Sequence, residues 1–151
     1  MRPIQATLDL DAFAHNLAVV RRHAPRSRVL AVVKANAYGH GVQRVARALA
    51  QAGVDGFALL ELDAAIALRE AGITQRMVML EGFFEPAELP LYAERRLDAA
   101  VHSAEQVAML RAAPLRERVG VLLKLNTGMN RLGFDAAALR AAHDALRALP
   151  A

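Results

Sequence analysis

Val29-Leu30-Ala31-Val32-Val33-Lys34-Ala35-Asn36-Ala37-Tyr38-Gly39-His40-Gly41 joins an aliphatic run to a lysine and then to a polar loop bearing two glycines. Five consecutive aliphatic residues are the length of a strand rather than a helix, and they lack the polar alternation of a half-exposed one. They read as a strand buried on both faces, the kind found in parallel sheets. The next stretch has a different period. Val42, Val45, Ala46 and Leu49 recur at spacings of three and four, which predicts a helix over 42–51 with Gly53 as its C-terminal cap.

Outward from this strand, loop and helix the pattern repeats. Upstream, Leu10, Phe13, Leu17 and Val20 predict a helix that follows Asp9 and stops near Pro25, preceded by a short initial strand. Downstream, strands are expected over 56–60, 77–80, 99–102 and 119–125. Helices are expected over 62–70, through Arg95, over 104–112 and over 136–149. Gly72 caps one, Pro114 ends another, and Gly82-Phe83-Phe84-Glu85-Pro86 reads as a turn. This gives about five βα units in one domain. Such units build either an open doubly wound sheet or a closed (β/α)8 barrel. No Gly-x-Gly-x-x-Gly turn follows the first strand, which speaks against a dinucleotide-binding open sheet. Five units cannot close a barrel. The expectation is therefore an α/β fold of the TIM-barrel type, present as its N-terminal portion over residues 1–151 and stopping at Pro150-Ala151, just after a helix.

Composition narrows the function. A hydrophobic content of 55% against 23% charged residues fits a folded chain, not a disordered one. The apolar runs end well short of the roughly 20 residues of a membrane span, and Arg2 is followed by Asp9 and Asp11 without the apolar core of a secretory signal. No membrane association and a cytoplasmic location are expected. The net charge is +4, but the arginines are scattered along helical segments, and two tyrosines with no tryptophan make a poor base-stacking platform. No nucleic acid is expected as a partner. Without cysteine there are no disulfides or thiolate nucleophiles. His15, His23, His40, His102 and His143 show no paired ligand spacing, so no metal is expected.

Two segments can carry chemistry. Lys34 stands at the C-terminal end of a buried strand, where parallel α/β folds place their ligands. Partial desolvation there favours the neutral, nucleophilic amine, which can form a Schiff base with an aldehyde cofactor. Tyr38 can offer a phenolic hydrogen bond to a phosphate. A strand-end lysine can equally snorkel into solvent, and the residues alone leave both open. The second segment, Lys124-Leu125-Asn126-Thr127-Gly128-Met129-Asn130-Arg131-Leu132-Gly133-Phe134, puts an arginine between two glycines after the last strand. Its planar guanidinium suits a carboxylate or a cofactor oxygen, although a loop capping the next helix, with Asp135 as N-cap, explains the stretch as well. Glu61, Asp63, Glu81 and Glu85 fall near strand ends and read as site groups or as cap and turn residues. No P-loop or Gly-x-Ser-x-Gly motif occurs.

Both segments resemble those of alanine racemases, as do Thr7-Leu8-Asp9, His15-Asn16, Leu68-Arg69-Glu70-Ala71-Gly72-Ile73 and Leu80-Glu81-Gly82-Phe83-Phe84, in the same order. The resemblance implies a (β/α)8 barrel that binds pyridoxal 5'-phosphate and is followed by a mostly β C-terminal domain, the two forming a homodimer that interconverts L- and D-alanine, either to supply a peptidoglycan precursor or in catabolism. Lys34 would hold the cofactor and serve as the base on one face of the substrate α-carbon. Tyr38 would contact the cofactor phosphate, Arg131 the cofactor's phenolic oxygen and the substrate carboxylate, and Lys124 matches the lysine carbamylated in some members. Asn126 stands where many relatives carry Asp. The C-terminal β domain, and with it the opposite-face base, a tyrosine of the partner subunit, is expected to be absent from these 151 residues. The fragment alone is then expected to be inactive. A decarboxylase of the same barrel fold, or a non-catalytic cofactor-binding barrel, are the alternatives; Tyr38-Gly39-His40-Gly41 and the Arg131 loop favour the racemase.

Overall fold

Five parallel strands, each hydrogen-bonded to the one before it in sequence, form one sheet in the computed structural model, which describes residues 3–149. Arg2 and the Pro150-Ala151 end lie outside them. Asp9 starts the first helix, its Oδ1 accepting from the backbone N–H groups of Asp11 and Ala12 at 3.0 and 3.3 Å, and α1 runs Asp11–His23. Strand β1 (Leu30–Val32) leads into a short helical turn, α2 (Lys34–Tyr38), and then α3 (Val42–Gln51). The remaining units are β2 (Gly56–Leu59) with α4 (Leu62–Glu70), β3 (Arg76–Met79) with α5 (Leu89–Glu94), β4 (Leu97–Val101) with α6 (Ala104–Ala112), and β5 (Val121–Leu123) with α7 (Ala136–Arg147). Among the described residues no helix is long and apolar enough to cross a membrane.

Three local expectations are corrected. No strand forms before α1 among the described residues. Strand β1 starts at Leu30 rather than Val29, because the Val29 N–H is taken by Asp55 Oδ2 at 2.8 Å instead of by the ladder. A single 3-10 turn over Pro86–Glu88 precedes α5, so the helix begins later than the turn at Gly82 suggested. The expected caps hold: Asp135 Oδ1 accepts from the Ala138 N–H at 2.8 Å, and Gly53 and Gly72 follow their helices at positive φ.

The strand order β1-β2-β3-β4-β5 separates the two sheet types that periodicity left open. A doubly wound sheet reverses direction at a switch point, whereas here each unit steps the same way, as the wall of a barrel does. Right-handed crossovers then put every helix on one face. Phe57, Leu59, Met77, Met79, Leu97, Ala99 and Val101 join residues such as Leu49, Leu68, Leu89 and Val107 in the core on that face. The alternate positions Ala58, Val78 and Ala100 face the other way. At the N-terminal ends of the strands that second face carries the Arg76–Asp98 ion pair, and Gly120 leaves room beside it, since a Cβ there would push the Asp98 carboxylate from its place.

Near the same ends of the strands, Arg69 ties neighbouring loops together. Its guanidinium donates to the carbonyls of Ile73 and Gln75 at 2.8 Å, of Arg95 at 2.8 Å and of Arg96 at 2.9 Å, joining the loops that lead into β3 and β4. Arg69→Met keeps the apolar stem and leaves four carbonyls without this donor. Urea denaturation should show a loss of about 2–4 kcal/mol with an unchanged m-value, and Arg69→Lys an intermediate loss.

Candidate active site

All five strands run the same way, so the loops that leave them meet at one edge. A cavity of about 320 Å³ opens there, with Lys34, Glu81, Lys124 and Arg131 on its wall and Leu60, Leu80, Ala100 and Leu122 among its apolar lining. In the sequence Lys34 and the Lys124–Arg131 segment stand on separate strands, 90 residues apart; the sheet brings all three cations to one cavity. Tyr38 is not part of its wall. It closes α2 and is 60% exposed. A larger cavity of about 640 Å³ lies between α6, α7 and the helix side of β5, and none of the strand-end residues named above lines it.

Lys34 is followed by an unusual piece of backbone. Ala35, Asn36 and Ala37 have φ,ψ near 51,50, 54,45 and 53,49, and Tyr38 has φ 53, so four non-glycine residues in succession are left-handed. Each such residue costs roughly 1–2 kcal/mol. The turn persists because its polar groups are satisfied. The N–H groups of Ala37, Gly39 and Gly41 donate to the carbonyls of Val33, Ala35 and Asn36 at 2.8, 3.0 and 2.9 Å. Asn36 Oδ1 accepts from the Val42 N–H at 2.8 Å and so caps α3, while Glu61 Oε1 accepts from the Ala35 N–H at 3.0 Å. Burial alone would raise the Glu61 pKa, but the Ala35 N–H, neighbouring backbone N–H groups and the Lys34 charge outweigh it and hold the carboxyl below its ordinary value.

Arg131 is held by a similar device. Strand β5 is prolonged by Lys124, whose N–H donates to Val101 O at 2.9 Å, and the chain returns so that Asn126 N–H donates to Phe134 O at 2.8 Å and Phe134 N–H to Lys124 O at 2.9 Å. Gly133 makes that return possible, since a Cβ on it would lie 2.7 Å from Asn126 N. Inside the loop Asn126 Oδ1 accepts from the N–H groups of Gly128 and Asn130, both at 3.1 Å, and Asn126 Nδ2 donates to Asn130 Oδ1 at 2.9 Å. Asn130, left-handed at φ 57, directly precedes Arg131.

Glu81 is placed by residues that no sequence motif marks. Gln106, buried to 4% exposure, donates from Nε2 to Glu81 O and Phe83 O at 2.9 and 3.0 Å, and its Oε1 accepts from the His102 N–H at 2.9 Å. The Tyr92 hydroxyl donates to Gly82 O at 2.5 Å, and burial pushes its pKa up. Ser103 and Gln106 have the spacing of a capping box, which signals a helix start. It could not signal that the amide reaches another loop.

The fold and its rim define the N-terminal part of a (β/α)8 barrel protein with a lysine at the end of its first strand. The family model described as alanine racemase, N-terminal domain, matches residues 8–151. A curated alanine racemase from Nitrosospira multiformis is 57% identical over 150 residues, which are 99% of this chain and 42% of that protein. The crystal structure of the biosynthetic alanine racemase from Pseudomonas aeruginosa matches with a TM-score of 0.94 at 48% identity, over 99% of this chain and 42% of that one. A histidine racemase from Leuconostoc mesenteroides matches with a TM-score of 0.82 at 32% identity, over 92% of this chain and 38% of that one. The chain belongs to the alanine racemase family as its N-terminal domain, and spans 42% or less of these relatives.

Asn126 tests the loop. Asn126→Ala removes both acceptor and donor and should speed amide exchange across residues 126–131 by about tenfold. Asn126→Asp keeps the acceptor for both backbone N–H groups and should stay close to the parent.

Proposed function

We propose that this chain supplies the cofactor-bearing half of an alanine racemase, a pyridoxal 5'-phosphate enzyme interconverting L- and D-alanine. The observation that carries the reading is the convergence of Lys34, Lys124 and Arg131 on one strand-end cavity, in a chain matched by the family's N-terminal domain from residue 8 onward. The donor set fits the cofactor: a primary amine can condense with its aldehyde, further cations can meet its anionic oxygens, and an apolar floor can lie against its ring.

When bound, pyridoxal phosphate delocalises the electron pair left when the substrate α-carbon loses its proton. The chain's own residues do the rest. The Lys34 Nζ would hold the cofactor and, as a free amine, would take or return the α-proton on one face. Arg131 holds the substrate carboxylate and a cofactor oxygen through its two-pronged guanidinium. Tyr38, exposed beside the Lys34 turn and outside the cavity wall, would reach only the cofactor phosphate through its hydroxyl. Lys124 stands in this structure as a free amine; addition of carbon dioxide to it, with loss of a proton, would give a carbamate whose negative charge could orient Arg131. The opposite face needs a second proton carrier. The chain has two tyrosines; Tyr92 is buried and donates to Gly82 O, and Tyr38 is outside the cavity wall. A tyrosine of a partner subunit's C-terminal domain fills that role on this reading, which makes the enzyme a homodimer. It works in the cytoplasm, where D-alanine serves as a cell-wall precursor or is consumed.

Two experiments in the enzyme at the full length of its relatives test the reading. Borohydride treatment of the yellow protein followed by peptide mapping should place the pyridoxyl group on Lys34; finding it on Lys124, or on no lysine, ends the assignment. Arg131→Lys should lower kcat/KM for alanine by about ten- to a hundredfold with an unchanged circular dichroism spectrum, since a point charge replaces a planar fork. Unaltered racemisation would reduce Arg131 to a loop residue.

A further inference from the structure

We propose that Glu61 is the positioning residue for Lys34: its carboxylate, reaching across from the end of β2, holds the Ala35 N–H and fixes the peptide unit through which Lys34 enters the left-handed turn. The proposal rests on the reading of Lys34 as the cofactor-bearing lysine. Left-handed backbone begins at Ala35, immediately after Lys34, and the peptide N–H at that junction is bound 3.0 Å from Glu61 Oε1. That N–H shares a plane with the Lys34 carbonyl, so holding it restrains the peptide on the far side of the Lys34 Cα, and with the strand holding the near side it limits how far that Cα can shift or turn.

The partner is chosen by tertiary structure. Ala37, Gly39 and Gly41 satisfy their N–H groups with carbonyls of the same segment, but Ala35 uses a side chain 26 residues away. Glu61 also stands at the N-cap position of α4, yet its side chain makes no capping bond there. Its carboxylate is turned toward the neighbouring loop. Four left-handed residues are each disfavoured by roughly 1–2 kcal/mol, so a segment released at its first peptide has a strong tendency to relax. The Lys34 ammonium is among the groups that keep Glu61 ionised, and a charged acceptor makes the stronger hydrogen bond.

The test compares Glu61→Ala with Glu61→Gln in the full-length enzyme, freed of cofactor and then mixed with pyridoxal phosphate. Amide exchange of the peptide spanning residues 34–41 and the rate of borohydride-trapped labelling at Lys34 are read together with the thermal midpoint. Glu61→Ala should speed exchange at Ala35 and slow labelling by about tenfold or more, the weight of one hydrogen bond to a charged acceptor, with the thermal midpoint nearly unchanged. Glu61→Gln keeps an acceptor oxygen and should recover most of both. Parent-like exchange and labelling in Glu61→Ala would overturn the proposal, as would a glutamine variant impaired as much as the alanine one. Labelling of a different lysine in the parent would remove the Lys34 reading, while exchange at Ala35 would still decide whether Glu61 holds the turn.

Discussion

A parallel strand can be followed by another parallel strand only if the chain first returns to the edge from which it started. Such returns, each made by a helix and each stepping to the next position in the sheet, order this molecule. Every strand ends at one edge and begins at the other. Groups that leave β1, β3 and β5 therefore meet, although they are far apart in sequence. The edge where strands begin carries structural work instead: the Arg76–Asp98 pair, the Gly120 gap beside it, and Arg69 gathering four carbonyls.

The edge where strands end is where the backbone departs from its preferred conformations. Left-handed residues flank two of the cavity's cations, Ala35 after Lys34 and Asn130 before Arg131, and a side chain holds each of them. Glu61 does so for the first and Asn126 for the second. Strain of this kind survives only where the surroundings over-determine it, and it concentrates at working sites. The two clamps differ in reach. Asn126 is local to its loop, so the strained residue and its support travel together in the sequence. Glu61 belongs to another βα unit, which makes the geometry at Lys34 dependent on the packing of β1 against β2.

Electrostatics gives the cavity its character. Three cations and one carboxylate surround an apolar floor, an arrangement that favours an anionic occupant. The overall charge of +4 said little about this, because the arginines are spread over several helices and loops around the sheet. What matters is that the sheet brings the two lysines and Arg131 to one place.

The sequence by itself determined the elements. Alternation of apolar strands with helices, the Asp135 cap, the glycines after α3 and α4, and the position of Lys34 at a strand end all depend on residues within a few positions of one another, and all were legible; the expected burial of β1 on both faces did not hold, since Leu30 and Ala31 are half-buried and Val32 is exposed. The family resemblance came from the same local stretches. Tertiary structure decided what local patterns cannot encode. Strand order chose the barrel wall over the open sheet, since hydrogen-bond partners between strands are non-local. Nothing in Ala35-Asn36-Ala37-Tyr38 favours a left-handed turn except the tolerance of asparagine; bonds closed against Val33, Val42 and Glu61 impose it. Glu61 and Gln106 read locally as groups at a strand end and in a helix's first turn, and became clamps only when folding placed Ala35 and the Glu81–Phe83 turn within hydrogen-bond reach.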